Sequence, residues 1–202
     1  MIKSQATVCG TISRSAEMRN SKDGKPFMKF TMNVGFEDNG TNRNIEVHVY
    51  RDGTDERFMA DFQAGTRVCV KGMLNFYKAD ESLVFNIRAQ EISFDPVGED
   101  SITGTLDFMG IMGKSIYQKS DRKGHPYISF AAYSMDRKGE EYSFTWINFM
   151  QFNREKEPWM QPGCGVEIHG DIEVSVYQGK SGVCCRITSV TEWDKHYKHE
   201  NR

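Results

Sequence analysis

Hydrophobic side chains recur at every second position along most of the chain. In the segment 27–34 the residues Met28, Phe30, Met32 and Val34 occupy the even positions, and mostly polar side chains lie between them. A period of two is typical of a β-strand with one face in a hydrophobic core and the other in solvent. The pattern therefore predicts half-buried antiparallel strands and not amphipathic helices.

The same pattern divides each half of the chain into five strands. In the first half they are expected near 5–14, 26–36, 43–51, 66–78 and 82–93. In the second half they are expected near 101–109, 126–135, 141–152, 165–177 and 182–192. Between the third and fourth strands, Phe58 and Phe62 indicate a short helical segment near 54–63. Its counterpart, 153–161, contains Pro158 and is expected to be a single turn or an irregular loop.

The two halves of the chain repeat one another. The segment 24–30, Gly-Lys-Pro-Phe-Met-Lys-Phe, reappears one hundred residues later as Gly-His-Pro-Tyr-Ile-Ser-Phe. Upstream, we match Val8–Ile12 to Ile102–Leu106, and downstream we match Ala64–Gly72 to Pro162–Gly170. The predicted organisation is two domains, 1–95 and 101–194, with a short linker, 96–100, and a polar tail, 195–202.

Five strands with a helical connection between the third and the fourth suit a small closed barrel. Gly10 and Gly72, near the ends of the first and fourth strands, allow the sharp bends that such a barrel needs. The predicted fold class is therefore all-β, with two tandem five-stranded OB-fold barrels.

Several of these segments resemble the family of bacterial single-stranded-DNA-binding proteins (SSB). Ala64–Leu74 is similar to the fourth-strand signature of that family, in which a turn glycine precedes alternating valines. Gly24-x-Pro26 with Phe30, and Glu46-x-His48 in the third strand, also resemble it. The resemblance covers most of the first unit and, more weakly, all of the second.

The resemblance implies a non-catalytic protein that binds single-stranded DNA with little sequence preference in replication, recombination or repair. Two barrels are half of the four-barrel assembly common in the family, so it also implies a homodimer. The sequence departs from the pattern in two ways. The usual third-strand tryptophan is absent from the first unit, and the segment 197–202 is not an acidic-hydrophobic tip. Recruitment of partners through such a tip is therefore not expected.

Charge and composition restrict where such a ligand could bind. The chain has 26 Lys and Arg against 28 Asp and Glu, a net charge of −2, so any site for a polyanion must be a local patch. Without an apolar run of about 20 residues or a signal-like start, we expect a soluble, cytoplasmic protein with no membrane contact. The five cysteines lack metal-site spacing and are expected to be reduced, partly buried thiols.

Binding a single strand requires aromatic faces for the bases and cations for the phosphates. The candidate ring side chains are Phe27, His48, Tyr77, Tyr127, Tyr133, Trp146 and Tyr177. The candidate cations on the strands and at the last hairpin are Lys29, Lys78, Arg88, Lys180 and Arg186. The loops between the first and second strands add Arg14, Arg19, Lys22 and Lys25 in one unit and Lys114, Lys119, Arg122 and Lys123 in the other. Each of these loops has a local charge of +2 once its two acidic residues are counted.

An offset of 98 residues between the third strands places His48 and Trp146 at equivalent outward positions. Trp146 is then expected beside Tyr127 and within reach of Arg186. Other interpretations remain open at this point. Phe27, Tyr127 and Trp146 could be core residues, the cations could be solvated surface charges, and His48 could pack between barrels.

Motifs for catalysis are weak. Gly113-Lys114-Ser115 and Gly179-Lys180-Ser181 resemble the end of a phosphate-binding loop, but each lacks the required glycine five residues earlier. We therefore expect no enzyme activity, no cofactor and no metal. The alternatives to single-stranded DNA are an OB-fold protein that binds RNA and a scaffold whose aromatic face binds a polypeptide.

Overall fold

The structure, a computed structural model, describes residues 1–38, 40–53, 56–79, 82–138, 140–177 and 180–193. Its strands are β1 (Ile2–Asn20), β2 (Pro26–Asp38), β3 (Thr41–Asp52), β4 (Arg67–Ala79), β5 (Ser82–Phe94), β6 (Ser101–Ser120), β7 (Pro126–Lys138), β8 (Glu141–Phe152), β9 (Gly165–Tyr177) and β10 (Lys180–Glu192). A 3₁₀ helix, Glu56–Asp61, lies between β3 and β4. Within the described residues, no helix is both long enough and apolar enough to span a membrane.

Each set of five strands closes on itself. β1 pairs antiparallel with β2 and β4, β2 with β3, and β4 with β5, and a parallel pairing of β3 with β5 completes the ring. In the second set, β6 pairs with β7 and β9, β7 with β8, β8 with β10 in parallel, and β10 with β9. The predicted fold class, all-β with two five-stranded OB-fold units, is confirmed.

The chain forms two compact units. The N-terminal unit contains Ser4–Gly104 and also Val174–Gly182, which is the tip of the β9–β10 hairpin. The C-terminal unit contains Met1–Lys3, Thr105–Glu173 and Val183–Arg202. The domain boundaries and the linker expected from the sequence stay predictions, and the tail 195–202 lies outside the described residues.

The core of the N-terminal unit follows the period of two. Phe62, which directly follows the 3₁₀ helix, is buried at the barrel end, with its ring 5.4 Å from that of Phe30 and 5.0 Å from that of Phe94. Burial of a large apolar side chain stabilises a fold by about 1.5–3 kcal/mol. The buried apolar side chains of its second, third and fifth strands are Met28, Phe30, Met32, Val34, Ile45, Val47, Val49, Phe85 and Ile87.

The C-terminal unit has the same core with different side chains. The Phe149 ring lies 4.8 Å from that of Phe108 and 5.5 Å from that of Phe130. Met160 is fully buried although the segment 153–164 contains only bends and turns. The irregular loop expected there is confirmed, and Met160 takes the place that Phe62 has in the other unit.

The first strand of each unit is longer than predicted. β1 ends six residues, and β6 eleven residues, after the predicted ends at 14 and 109. Beyond bulges, both strands continue to pair, with Arg19 opposite Phe27 and Lys119 opposite Tyr127. Apolar alternation stops there because these arms are mostly exposed on both faces, and the sequence pattern therefore looked like a loop.

Tight turns close these two extended hairpins. They span residues 21–25 and 121–125. Gly24 has a φ of 74° and Gly124 a φ of 85°, in the left-handed region that glycine adopts without steric cost. The shared Gly-x-Pro motif of the two halves is thus explained by a turn that leads into β2 or β7.

The pairings fix which residues of the two units correspond. β2 pairs with β3 over twelve residue pairs, and β7 pairs with β8 over the twelve pairs whose numbers are each higher by 100. Phe30 is opposite Val49, for example, and Phe130 is opposite Phe149. The offset of 98 residues expected for the third strands is therefore wrong for β3 and β8.

The first strands also correspond at an offset of 100. Ile12 O accepts a hydrogen bond of 2.8 Å from the N–H of the glycine before β4, and Met112 O accepts the equivalent bond of 3.0 Å from the glycine before β9. Ile12 is thus equivalent to Met112. The predicted match of Val8–Ile12 with Ile102–Leu106 is wrong, because the corresponding segment begins six residues later.

This correspondence explains why both Gly10 and Gly110 are glycines. A Cβ on Gly10 would lie 2.3 Å from Asn33 O, and a Cβ on Gly110 would lie 2.3 Å from Tyr133 O. Neither position has room for any other side chain. At this point in both units the first strand packs directly against the backbone of the second.

The expectation that all five cysteines are free thiols is wrong for two of them. Cys9 and Cys69 are direct neighbours across β1 and β4, with Cα atoms 4.1 Å apart, and form a disulfide. Their pairing depends on strand register, which their separation of 60 residues does not reveal. Cys164, Cys184 and Cys185 are free, and burial raises the pKa of the Cys185 thiol to about 12.

Candidate nucleic-acid interface

The outward face of β8 is a row of aromatic side chains. Tyr142, Phe144 and Trp146 are 53%, 52% and 55% exposed, while Ile147 and Phe149 between the outward positions are buried. Alternation along a strand brings residues two apart to one face, about 6.8 Å from each other. Trp146 therefore lies outside the core, which settles one alternative left open by the sequence.

Trp146 belongs to a cluster of three rings. Its ring centroid is 4.9 Å from that of Tyr133, and the Tyr133 centroid is 5.6 Å from that of Phe144. Gly113 lies beneath the indole, since a Cβ there would be 3.1 Å from the Trp146 ring. We call Tyr133, Phe144 and Trp146 the Trp146 cluster.

A second cluster lies at the end of β8. The Tyr127 ring centroid is 5.7 Å from that of Phe152, and the Arg186 guanidinium carbon is 5.1 Å from the Phe152 centroid. We call these three residues the Phe152 cluster. The expectation that Trp146 lies beside Tyr127 and Arg186 is wrong, because strand pairing puts Tyr133 opposite Trp146 and Tyr127 opposite Phe152.

Several members of this surface were not among the sequence candidates. Phe144, Phe152 and Tyr142 were missed, although a strand predicted over 141–152 with Trp146 outward also places these three outward. Tyr117 was missed as well. It is 51% exposed on β6, and the Lys119 ammonium is 4.9 Å from its ring.

The corresponding face of the N-terminal unit has one aromatic pair. Phe27 and Tyr50 have centroids 6.1 Å apart, and the Lys29 ammonium is 5.9 Å from the Tyr50 ring. Burial, with a smaller effect from Tyr77, raises the pKa of Tyr50 above its ordinary value. Phe27 is half-buried through this contact and faces outward as predicted, whereas Tyr50 was missed.

His48 does not correspond to Trp146. At the offset of 100 its counterpart is Asn148, and Trp146 corresponds to Glu46. His48 Nδ1 lies 3.3 Å from Thr31 Oγ1, within hydrogen-bond distance. Burial lowers the pKa of His48, although Glu46 opposes the shift. The direction of this shift disfavours a positive charge on His48.

The outward side of β3 borders a polar groove of about 570 Å³ within the N-terminal unit. Asn42, Asn44 and Glu46 from β3 line it, as does the candidate Lys180 from the hairpin tip. Hydrogen-bonding groups thus lie where the other unit presents rings.

Four of the predicted cations are in ion pairs. Arg14 lies 3.1 Å from Glu46, Arg19 lies 2.8 Å from Glu17, Arg186 lies 3.3 Å from Glu173, and Arg88 pairs with Asp52. All four pairs are on the surface, where such contacts are worth about 0–1 kcal/mol. A phosphate can therefore replace the carboxylate at little cost.

Other predicted cations are exposed and have no carboxylate within ion-pair distance among the described residues. They are Lys22, Lys25, Lys78, Lys114, Arg122 and Lys123. The prediction that the basic segments are loops is wrong for Arg14, Arg19, Lys114 and Lys119, which lie on β1 or β6 because those strands extend beyond the barrel. Tyr77 is 44% exposed at the end of β4, and the side chain of Tyr177 lies outside the described residues.

The two basic turns are held differently. Asp121 Oδ1 accepts hydrogen bonds of 2.8 Å from Lys123 N and 2.9 Å from His125 N, and these bonds to the backbone lower the pKa of Asp121. In the other unit, Ser21 Oγ accepts one bond of 3.1 Å from Lys25 N. In the part of the chain that the structure describes, no group of three or more His, Cys, Asp or Glu side chains could hold a metal ion.

Comparison with known proteins gives the fold and no family. No family model matches the chain, and no curated protein matches it. A deletion mutant of the single-stranded DNA binding protein from Thermus aquaticus matches 98% of this chain with 97% of its own, at a TM-score of 0.51 and 15% identity. The wild-type protein from the same organism matches 95% of this chain with 93% of its own, at 0.50 and 14%. The chain thus has the fold of these two structures along nearly its whole length.

Proposed function

We propose that this protein is a non-catalytic binder of single-stranded DNA with little sequence preference. The observation that carries the proposal is the outward face of β7 and β8, where exposed rings recur along one strand with cations beside them. Bases stack on the rings, and the cations contact the phosphates between the bases.

The exposed aromatic side chains favour the interpretation of this face as a ligand-binding surface over that of an ordinary solvated surface. Large contiguous apolar patches are uncommon on soluble proteins and mark binding surfaces. Stacking of a base on an aromatic side chain contributes about 1–3 kcal/mol and tolerates any base, since every base has a π face. A surface of this kind binds single strands without reading their sequence.

The net charge of −2 is compatible with a polyanionic ligand. Lys22 and Lys25 at one turn, and Arg122 and Lys123 at the other, are exposed cations at the ends of the two extended hairpins. A few phosphate contacts are enough for a counterion-release contribution, and that contribution depends on local and not on total charge.

The fold likeness adds support for the ligand class. Both Thermus aquaticus proteins are named for binding single-stranded DNA, and they correspond to this chain over 97% and 93% of their own lengths. We extend the proposal to membership of the SSB family, to a role in replication, recombination or repair in the cytoplasm, and to a homodimer. Sedimentation at micromolar concentration should then give about twice the chain mass of 23.2 kDa.

A fluorescence titration with oligo-dT, oligo-rU and duplex DNA tests the ligand. We expect oligo-dT to quench tryptophan emission and to bind more tightly than duplex DNA. Preference for oligo-rU would indicate an RNA-binding protein, and no binding to any of the three would favour the protein-interaction scaffold. Because Trp159 and Trp193 also emit, the titration is repeated in Trp146→Ala before quenching is assigned to Trp146.

A further inference from the structure

The two units differ along most of the outward face of the third strand, and Tyr50, whose counterpart is Met150, is the exception. At the offset of 100 set by strand pairing, each ring on β8 corresponds to a polar or charged residue on β3. The corresponding pairs are Asn42 and Tyr142, Asn44 and Phe144, Glu46 and Trp146, and Asp52 and Phe152. The β7 member of the Trp146 cluster, Tyr133, corresponds to Asn33.

We infer that the two units divide the work of binding a single strand: the β7–β8 face of the C-terminal unit stacks the bases and dominates the affinity, with Phe144 and Tyr142 as base-contacting residues. The stretch of β3 from Asn42 to Glu46 stacks none, which leaves the N-terminal unit only the Phe27–Tyr50 pair. The inference rests on the proposed function. It goes beyond that proposal because it predicts that the two barrels contribute unequally to the affinity. Matched aromatic sites in both units would instead give equal contributions.

The spacing of the rings suits separated bases. Outward residues two apart on a strand are about 6.8 Å from each other, which is twice the roughly 3.4 Å rise per nucleotide along one strand of a duplex. Stacked duplex bases leave no gap for a side chain. A single strand with its bases spread apart can place one base against each ring of Tyr142, Phe144 and Trp146.

Charge along the two strands agrees with this division. On β3, Glu46 and Asp52 add two carboxylates, which a phosphate must displace before it reaches Arg14 or Arg88. The outward positions of β8 from Tyr142 to Phe152 contain no carboxylate. Phosphates can therefore approach β8 more closely than β3.

Cations placed against the rings distinguish a nucleic acid from an apolar polypeptide as the occupant. The Arg137 guanidinium carbon is 5.8 Å from the Tyr142 ring centroid, and Arg186 is 5.1 Å from that of Phe152. Positive charge thus lies at two places along the aromatic row. A strand with alternating bases and phosphates offers a partner to both kinds of group, whereas an apolar helix would contact only the rings.

Matched substitutions at equivalent positions test the division. Phe144→Ala and Trp146→Ala are compared with Asn44→Ala and Glu46→Ala, using the full chain and the Kd for oligo-dT. From the stacking free energy of about 1–3 kcal/mol per base, each C-terminal variant should bind roughly 5- to 150-fold more weakly. The Asn44 variant should change less than about twofold, and Glu46→Ala should bind equally or more tightly.

Three results would overturn the inference: unchanged affinity in both C-terminal variants, an equal loss in the N-terminal variants, or tighter binding on removal of a ring. Failure of the wild-type protein to bind oligo-dT would instead overturn the proposed function. If an alanine variant does not fold, Phe144→Leu and Trp146→Leu decide, because leucine retains apolar area but has no π face. Circular dichroism and the melting temperature establish that each variant is folded.

Discussion

The third strands of the two units, β3 and β8, have the same backbone pairing and opposite surfaces. Their inward residues are interchangeable in kind, with Val47 corresponding to Ile147 and Val49 to Phe149. Their outward residues share almost nothing, as Glu46 and Trp146 illustrate. Core packing favours apolar side chains on the inward side, where Thr145 and Gln151 are the buried polar residues of β8, and it places no such restriction on the outward set.

The two strands β3 and β8 therefore differ in the side chains that they present to a ligand. The two faces can acquire different ligands without any change in the fold, because the register is fixed by the buried side chains and by the glycines. Measurements that treat the two faces, or the two units, differently test whether this difference determines stability and binding.

The largest expected effect is a difference in the free energy of unfolding between variants on the inward and the outward side of β8. Phe149→Ala should lower the free energy of unfolding by about 3–5 kcal/mol, because it leaves a cavity beside Phe108 and Phe130. Phe144→Ala should change it by only about 0.5 kcal/mol. Urea unfolding followed by tryptophan fluorescence measures both, since Trp146, Trp159 and Trp193 all lie in the C-terminal unit. Equal losses would contradict the outward placement of Phe144.

The next effect concerns a covalent link that one unit has at this position and the other does not. Cys9 and Cys69 join β1 to β4, whereas Met109 and Glu167 occupy the equivalent places. Closing a long loop stabilises a fold by about 2–4 kcal/mol, so Cys9→Ser should lower the melting temperature of the N-terminal unit. Alkylation of the denatured, unreduced protein should modify three of the five cysteines, and all five after reduction. Modification of all five cysteines without reductant would show that Cys9 and Cys69 are not linked by a disulfide.

Salt dependence measures the contribution of the two basic turns. Affinity for oligo-dT should fall as salt rises, with a log-log slope of about 0.7 for each phosphate neutralised. Replacing Arg122 and Lys123 by alanine should flatten the slope by about 1.4 if each contacts one phosphate. Replacing Lys22 and Lys25 should have a smaller effect if the C-terminal unit dominates. If the affinity of the wild-type protein did not depend on salt, the basic turns would not contact phosphates.

The smallest effect is a difference in pH response between the same two turns. The pKa of Asp121 is lowered in the folded protein, so the bonds it accepts are present above its unfolded pKa and are lost as pH falls through the folded one. Hydrogen-exchange protection of the Lys123 and His125 amides should decrease over that acidic range. The Lys25 amide, held by the Ser21 hydroxyl, should show no such step, and Asp121→Ser should abolish it in the C-terminal unit. Persistence of the step in that variant would assign it to another group.

The sequence was sufficient to predict where the strands lie. It was not sufficient to predict which residues of the two units are equivalent. Alternation located all ten strands, because each has one buried face. It could not locate the outer arms of β1 and β6, which have little buried surface. The segment match at Val8–Ile12 failed because short Gly-Thr motifs recur by chance, whereas hydrogen bonds identify Met112 as the partner of Ile12.

The candidate site was predicted in kind and only partly in detail. Trp146 and Tyr133 were expected outward, and their exposure and ring contacts agree. Phe144 and Phe152 were within reach of the same alternation rule, and were missed because Trp146 was matched to His48. The ion pair between Arg14 and Glu46 and the disulfide could not be found, since both depend on which strands are neighbours in the ring.

The connection between the third and fourth strands has two lengths in this molecule. Fourteen residues join β3 to β4, and twelve join β8 to β9. Among the described side chains, each connection fully buries one apolar residue, Phe62 in one and Met160 in the other. An engineer who wishes to attach a tethering group without disturbing the barrel should therefore choose the exposed side chain of Glu155, and keep Met160 unchanged.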